Sequence, residues 1–114
     1  MYAKFLPSGG PPIYPAAGLI STVERGEALV RTLQDSAAIL LRAHGDAVVG
    51  ASLEQTILRT LQLAFVGELA HMAVTHGEPL YLSQDELATF AADHSFPARP
   101  WEYYLSRIRE RRSS

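Results

Sequence analysis

Apolar and polar positions fall in blocks along the chain, and the block that organises the rest is the run Ala37-Ala38-Ile39-Leu40-Leu41. It has the length and bulk of a buried strand rather than a helix, and the Gly45-Asp46 pair behind it is a hairpin-turn signal. Val48 and Val49 then supply the return strand. Gly50 breaks it, and Ser52 with Gln55 three residues on forms a capping box, so a helix is expected from about Leu53. Nothing interrupts that helix before Gly77. At 1.5 Å per residue, roughly 24 residues make it about 36 Å long, more than the width of many small domains.

The polar residues of this long segment do not keep to one side. At about 100° per residue, Gln55, Arg59 and Gln62 lie together near its start, while Glu68, His71 and Thr75 lie on roughly the opposite side near its end. Its apolar residues, among them Leu61, Phe65, Leu69 and Met72, exceed what one small sheet can cover, so another subunit is expected to bury part of it. Gly67 costs about 1 kcal/mol relative to Ala in a helix, and a neighbouring backbone is expected to approach there. The most apolar window, residues 57–74, is interrupted by Arg59, Gln62, Glu68 and His71 and reads as a core helix, not a membrane span.

Upstream, residues 1–6 read as a strand fragment or a frayed arm. Residues 8–18 hold three glycines and three prolines and form an extended loop, with Ile13-Tyr14 as a short edge strand. Ser21 with Glu24 makes a second capping box for a helix over about residues 22–34, striped by Val23, Leu29, Val30 and Leu33. Downstream, Gly77 and Pro79 stop the long helix. Ser83 with Glu86 caps a shorter helix to about Ala92, with Leu87, Phe90 and Ala91 facing inward. After a turn-rich break over residues 93–100, Trp101, Tyr104, Leu105 and Ile108 mark a last amphipathic helix. The order helix, strand, turn, strand, helix places the chain among α/β proteins: helices packed on a small mixed sheet, with a central β-hairpin followed by a long helix.

With 114 residues, 47% hydrophobic and 19% charged, the chain reads as a single domain over residues 1–114. A formal net charge of -2 gives no electrostatic footprint for nucleic acid. Zero cysteines exclude a disulfide scaffold and fit a cytoplasmic location, and no signal-peptide pattern opens the sequence. No membrane partner is expected.

The residue singled out for chemistry is His44, at the strand end beside Arg42. Alternation along the strand would put Leu40, Arg42 and His44 on one side, where a ligand could reach the imidazole. The alternative is a ring that hydrogen-bonds its own turn. No self-contained metal site is legible: a catalytic zinc takes about three protein ligands, and His71 and His76 are five apart, not the three or four that bring helix positions together. Glu24, Glu27, Glu68 and Glu78 lack a spacing that marks an acid/base pair, and no Walker-type loop, G-x-S-x-G elbow or Cys nucleophile occurs. Arg107, Arg109, Arg111 and Arg112 complement the carboxyl end of the last helix, or bind a phosphorylated or acidic partner.

The stretch LLRAHGDAVVGASLEQTILRTLQLAFVGELAHMAVTHGEP resembles the second half of a class II aldolase/adducin-type domain: an apolar strand, Arg, His-Gly, a Val-rich strand, Gly-x-Ser, and a long helix ending in Gly-x-Pro. The preceding GGPPIYPAAGLISTVERGEALVRTLQDSAAILLRAHG fits the approach to that strand, so the resemblance covers about residues 9–90. It departs where Leu63 is followed by Ala64 instead of Glu. The resemblance implies a truncated αβα domain in which His44 is the third imidazole ligand of a divalent metal, zinc in most members. Its other ligands come from a His-x-His that this sequence does not contain, and its acid/base from further upstream. The activity implied by the resemblance is that of a metal-dependent lyase acting on a small carbonyl substrate by retro-aldol cleavage or decarboxylation. Such a lyase would work as a homo-oligomer or with a chain that supplies the missing half. The alternative is a non-catalytic assembly module that keeps the fold.

Overall fold

A computed structural model of the chain describes residues 9–92 and 98–113. The elements follow in the order β1 (Ile13–Tyr14), α1 (Val23–Leu33), β2 (Ala38–Leu41), β3 (Gly45–Val48), α2 (Leu53–His76), α3 (Gln84–Ala92) and α4 (Ala98–Arg112). The strands form one mixed sheet in the order β1-β2-β3. β1 runs parallel to β2, with Ile13 opposite Leu40 and Tyr14 opposite Leu41. Parallel neighbours need a crossover, and α1 supplies it. β3 returns antiparallel, pairing Ala38 with Val48 and Leu41 with Gly45. The α/β class, the hairpin and the long helix are those the sequence predicts; the expectations for residues 1–6 and 93–97 lie outside the described residues.

Local chemistry sets the element ends. Ser52 Oγ accepts the N–H of Gln55 at 3.1 Å, and Gln55 Oε1 accepts the N–H of Ala51 at 2.8 Å, so the expected capping box starts α2 at Leu53. Gly50 sits directly beneath: a Cβ there would lie 2.6 Å from Thr56 Oγ1 and 2.9 Å from its backbone nitrogen. The Ser83 box is reciprocal as well, Ser83 Oγ accepting from Glu86 N at 3.3 Å and Glu86 Oε2 from Ser83 N at 2.7 Å. In α1 the cap is Thr22 rather than Ser21: Thr22 is extended and its hydroxyl accepts the N–H of Arg25 at 3.3 Å. α4 begins three residues before Trp101 and takes Pro100 into its first turn, where no intrahelical N–H is needed.

Two expectations are overturned. The hairpin turn is not at Gly45-Asp46; both residues belong to β3, and residues 42–44 make the turn. Val49 follows β3, but its N–H still reaches Ala37 O at 2.9 Å. Nor is α2 a core helix. Among the described residues the core consists of Tyr14, Ala37, Ala38, Ile39 and Leu58, so Leu58 is the one buried α2 residue, while Ile57, Leu61, Phe65, Leu69 and Met72 are 37–50% exposed. The reason is length: strands of four residues span about 13 Å, so a helix of about 36 Å overhangs them. By length and composition α2 could cross a membrane (mean hydropathy 1.2), with 11% of its apolar window buried. Two other apolar positions stay open: Val23 and Val30 of α1 are exposed, leaving Leu29 and Leu33 as the half-buried part of its stripe. Among the described residues, no atom beyond the helix's own adjoining backbone comes within 4 Å of a Cβ built at Gly67, so the expected close approach is not made among them.

Candidate functional site

The hairpin tip is built from the backbone. The N–H of His44 donates to Leu41 O at 3.0 Å, closing a four-residue turn with Arg42 and Ala43 at its centre. Ala43 has φ +59°, in the left-handed region, as the third position of a type II turn requires; Gly or Asn normally fills it. Gly45 then re-enters the ladder at φ +145°, a conformation that favours glycine. Arg42 ties this tip to β1. Its N–H donates to Tyr14 O at 3.2 Å, and its guanidinium Nη1 to Pro15 O at 3.4 Å.

His44 therefore stands in the turn, past the end of β2, and the alternation that would group it with Leu40 and Arg42 stops at Leu41. It is exposed. The bond to the turn is made by its backbone N–H, and its ring makes no hydrogen bond to any described residue. The imidazole is thus presented outward at the end of the sheet.

The other described histidines stand on a different element, α2. His71 and His76 lie exposed in the last turns of α2, where His76 Nδ1 is 2.8 Å from Met72 O; His94 is outside the described residues. Glu24 and Glu86 have pKa values lowered from the ordinary carboxylate range. For Glu24 the causes are its own backbone N–H and the Thr22 hydroxyl; for Glu86 they are the Ser83 N–H and hydroxyl. Both are capping carboxylates. In α4, Arg107 pairs with Glu110 at 3.2 Å on the solvent side.

Among the described residues, no group of three or more His, Asp or Glu side chains could hold a metal ion. One imidazole falls short of the roughly three protein ligands of a catalytic zinc, so these residues do not make a complete site. The sequence singles out His44 but not the turn that carries it: Arg42 and Ala43 carry no turn signal, and the bonds of Arg42 to Tyr14 and Pro15 exist only once β1 lies beside β2.

Comparison with known proteins gives the same neighbourhood. The chain is 35% identical over 69 residues to 3,4-dihydroxyphthalate decarboxylase of Rhodococcus jostii (strain RHA1), a match covering 60% of this chain and 27% of the relative. It thus spans about a quarter of that protein's length. No solved structure matches it. Residues 1–71 match the family described as Class II Aldolase and Adducin N-terminal domain, a span that takes in the hairpin, His44 and most of α2 and stops short of the expected residue 90. Members of this family often use a divalent metal. Because the match covers more than half of the 114 residues, the chain belongs to the class II aldolase and adducin N-terminal domain family.

Proposed function

We propose that this chain carries the second half of a class II aldolase-type domain and contributes to a metal-dependent lyase. In this reading His44 is one ligand of a divalent ion, zinc in the first instance, in a site shared with groups outside these residues. Those groups supply the remaining ligands and the acid/base, from a further segment or another chain. The substrate is a small carbonyl compound, and decarboxylation is favoured over retro-aldol cleavage because the Rhodococcus relative is a decarboxylase. The observation that carries the reading is the outward imidazole of His44, held on a hairpin tip that Arg42 anchors to β1 and free of bonds to the described residues. We place the activity in the cytoplasm on the strength of zero cysteines, without nucleic acid on that of a net charge of -2, and without a membrane because Arg59, Gln62, Glu68 and His71 interrupt the apolar window of α2.

The exposed apolar residues of α2 favour a second reading, an assembly module that kept the fold without the chemistry. Carbon dioxide release from 3,4-dihydroxyphthalate by the complete protein, before and after chelation, separates the two. Release that stops on chelation and returns with zinc or manganese supports the lyase. A protein that assembles normally without metal and releases nothing under any condition supports the module.

A further inference from the structure

β1 and β2 run parallel with Tyr14 opposite Leu41, so both strands stop at the same end of the sheet. The chain leaves that end twice, through residues 15–19 after β1 and through the turn at residues 42–44 after β2. In open α/β sheets, ligands bind beyond the carboxyl ends of parallel strands. Two side chains of the second turn carry chemistry there. His44 presents its imidazole, and Arg42 stands two positions earlier, its α-carbon no more than about 7 Å from that of His44. A molecule seated against the imidazole therefore has its far side within reach of the guanidinium.

The fold does not use up that guanidinium. The backbone N–H of Arg42 makes the shorter tie to β1, at 3.2 Å to Tyr14 O, while Nη1 lies 3.4 Å from Pro15 O, at the long limit of a hydrogen bond. A guanidinium carries five N–H donors in a planar fork, and the rest of this fork has no partner among the described residues. Arg42 is exposed, and no described carboxylate pairs with it. Other arginines are engaged: Arg31 faces Glu27 at 3.6 Å, Arg107 faces Glu110 at 3.2 Å, and Arg25 holds Leu19 O at 2.7 Å, fastening the far end of the neighbouring loop.

We propose that Arg42 binds a carboxylate of the substrate while His44 holds the metal. The site then selects molecules that carry, beside the group bound at the metal, a second anionic group of carboxylate geometry. A guanidinium fork matches the two oxygens of a carboxylate with two parallel hydrogen bonds, which fixes orientation as well as charge. The compound named for the Rhodococcus relative has this form, a ring with two adjacent hydroxyls and two carboxylates. Decarboxylation removes one carboxylate, and the other remains for Arg42 to hold throughout. The substrate class comes from the lyase reading, on which this assignment rests; the contact comes from the turn.

Titration calorimetry on the complete protein separates the two roles with two probes. Phthalate has the carboxylates without the hydroxyls, and catechol has the hydroxyls without the carboxylates. Arg42→Gln is expected to weaken phthalate binding about tenfold or more and to leave catechol binding, bound metal and far-ultraviolet circular dichroism unchanged. Arg42→Lys, which keeps the charge but not the fork, should recover part of the loss. Arg31→Gln removes an equal charge from α1 and should leave both probes at wild-type affinity. His44→Ala should lose metal and catechol yet keep phthalate. A protein without metal that still binds phthalate through Arg42 would sink the lyase and uphold the carboxylate contact. Phthalate bound equally well by Arg42→Gln would overturn the contact. So would a wild type that binds no phthalate, or an Arg42→Gln protein that loses metal and catechol along with phthalate.

Discussion

His44 and Leu41 are joined by one backbone hydrogen bond, the N–H of His44 to the carbonyl of Leu41 at 3.0 Å, and this bond turns the chain at the end of the sheet. The turn holds Ala43 at φ +59°, where a Cβ crowds the neighbouring carbonyl. Replacing Ala43 by Gly relieves that crowding at some cost in unfolded-state entropy, so Ala43→Gly should leave stability unchanged or raise it by up to about 1 kcal/mol. Ala43→Val, with a branched Cβ, should lower it by about 1–2 kcal/mol. Urea denaturation of the two variants checks both values, and a Val variant as stable as the wild type would contradict the turn geometry.

Two glycines near α2 should respond in opposite directions. A Cβ at Gly50 would fall 2.6 Å from Thr56 Oγ1 and 2.9 Å from Thr56 N, atoms of the first helical turn that cannot give way easily. Gly50→Ala should therefore destabilise by about 1–3 kcal/mol. Gly67 has open space around it, so Gly67→Ala gains helix propensity alone and should stabilise by about 1 kcal/mol. Thermal unfolding of both variants gives the comparison.

Acid should loosen the start of α3. The Ser83 N–H and hydroxyl stabilise the charged form of Glu86, which lowers its pKa below the ordinary value of 4.5. A depressed carboxylate contributes stability that is full above the ordinary value and is lost as pH falls through the lower, folded one. Helical content should therefore decline as pH drops below about 4.5, and Glu86→Gln should flatten the part of that decline that belongs to α3. Circular dichroism of the two proteins over an acid titration measures the difference. Identical curves would remove the role assigned to the Ser83–Glu86 box.

What could be read from the sequence was what local chemistry determines. The capping box at Ser52 and the stop at Gly77 fix both ends of α2 through a few adjacent residues, and both were legible. The hairpin turn was misread because Gly45-Asp46 is the stronger local signal, yet the register of β3 against β2 draws those residues into the ladder and leaves Ala43 in the strained position. Thr22 displaced Ser21 as the cap of α1 for a similar reason: the two hydroxyls are adjacent, and only backbone geometry chooses between them. The burial of α2 was legible only in part: its apolar residues exceed what one small sheet can cover, as the sequence implies, but its exposure over nearly its whole length does not follow from them. An apolar helix looks the same in sequence whether its own chain or another covers it, and here four-residue strands leave most of it open. His44 stands out in the sequence by its place in the His-Gly pattern, whereas the anchoring of its hairpin tip through Arg42 runs to Tyr14 and Pro15, nearly thirty residues earlier, and no local signal announces it.

On the function proposed above, the exposed imidazole of His44 belongs to a metal site completed from outside these residues. Metal analysis of the complete protein, purified with its natural complement as wild type and as His44→Ala, tests it most directly. About one equivalent of zinc or manganese per site is expected in the wild type and its loss in His44→Ala, with both proteins equally folded and assembled. Metal retained undiminished by His44→Ala would contradict it.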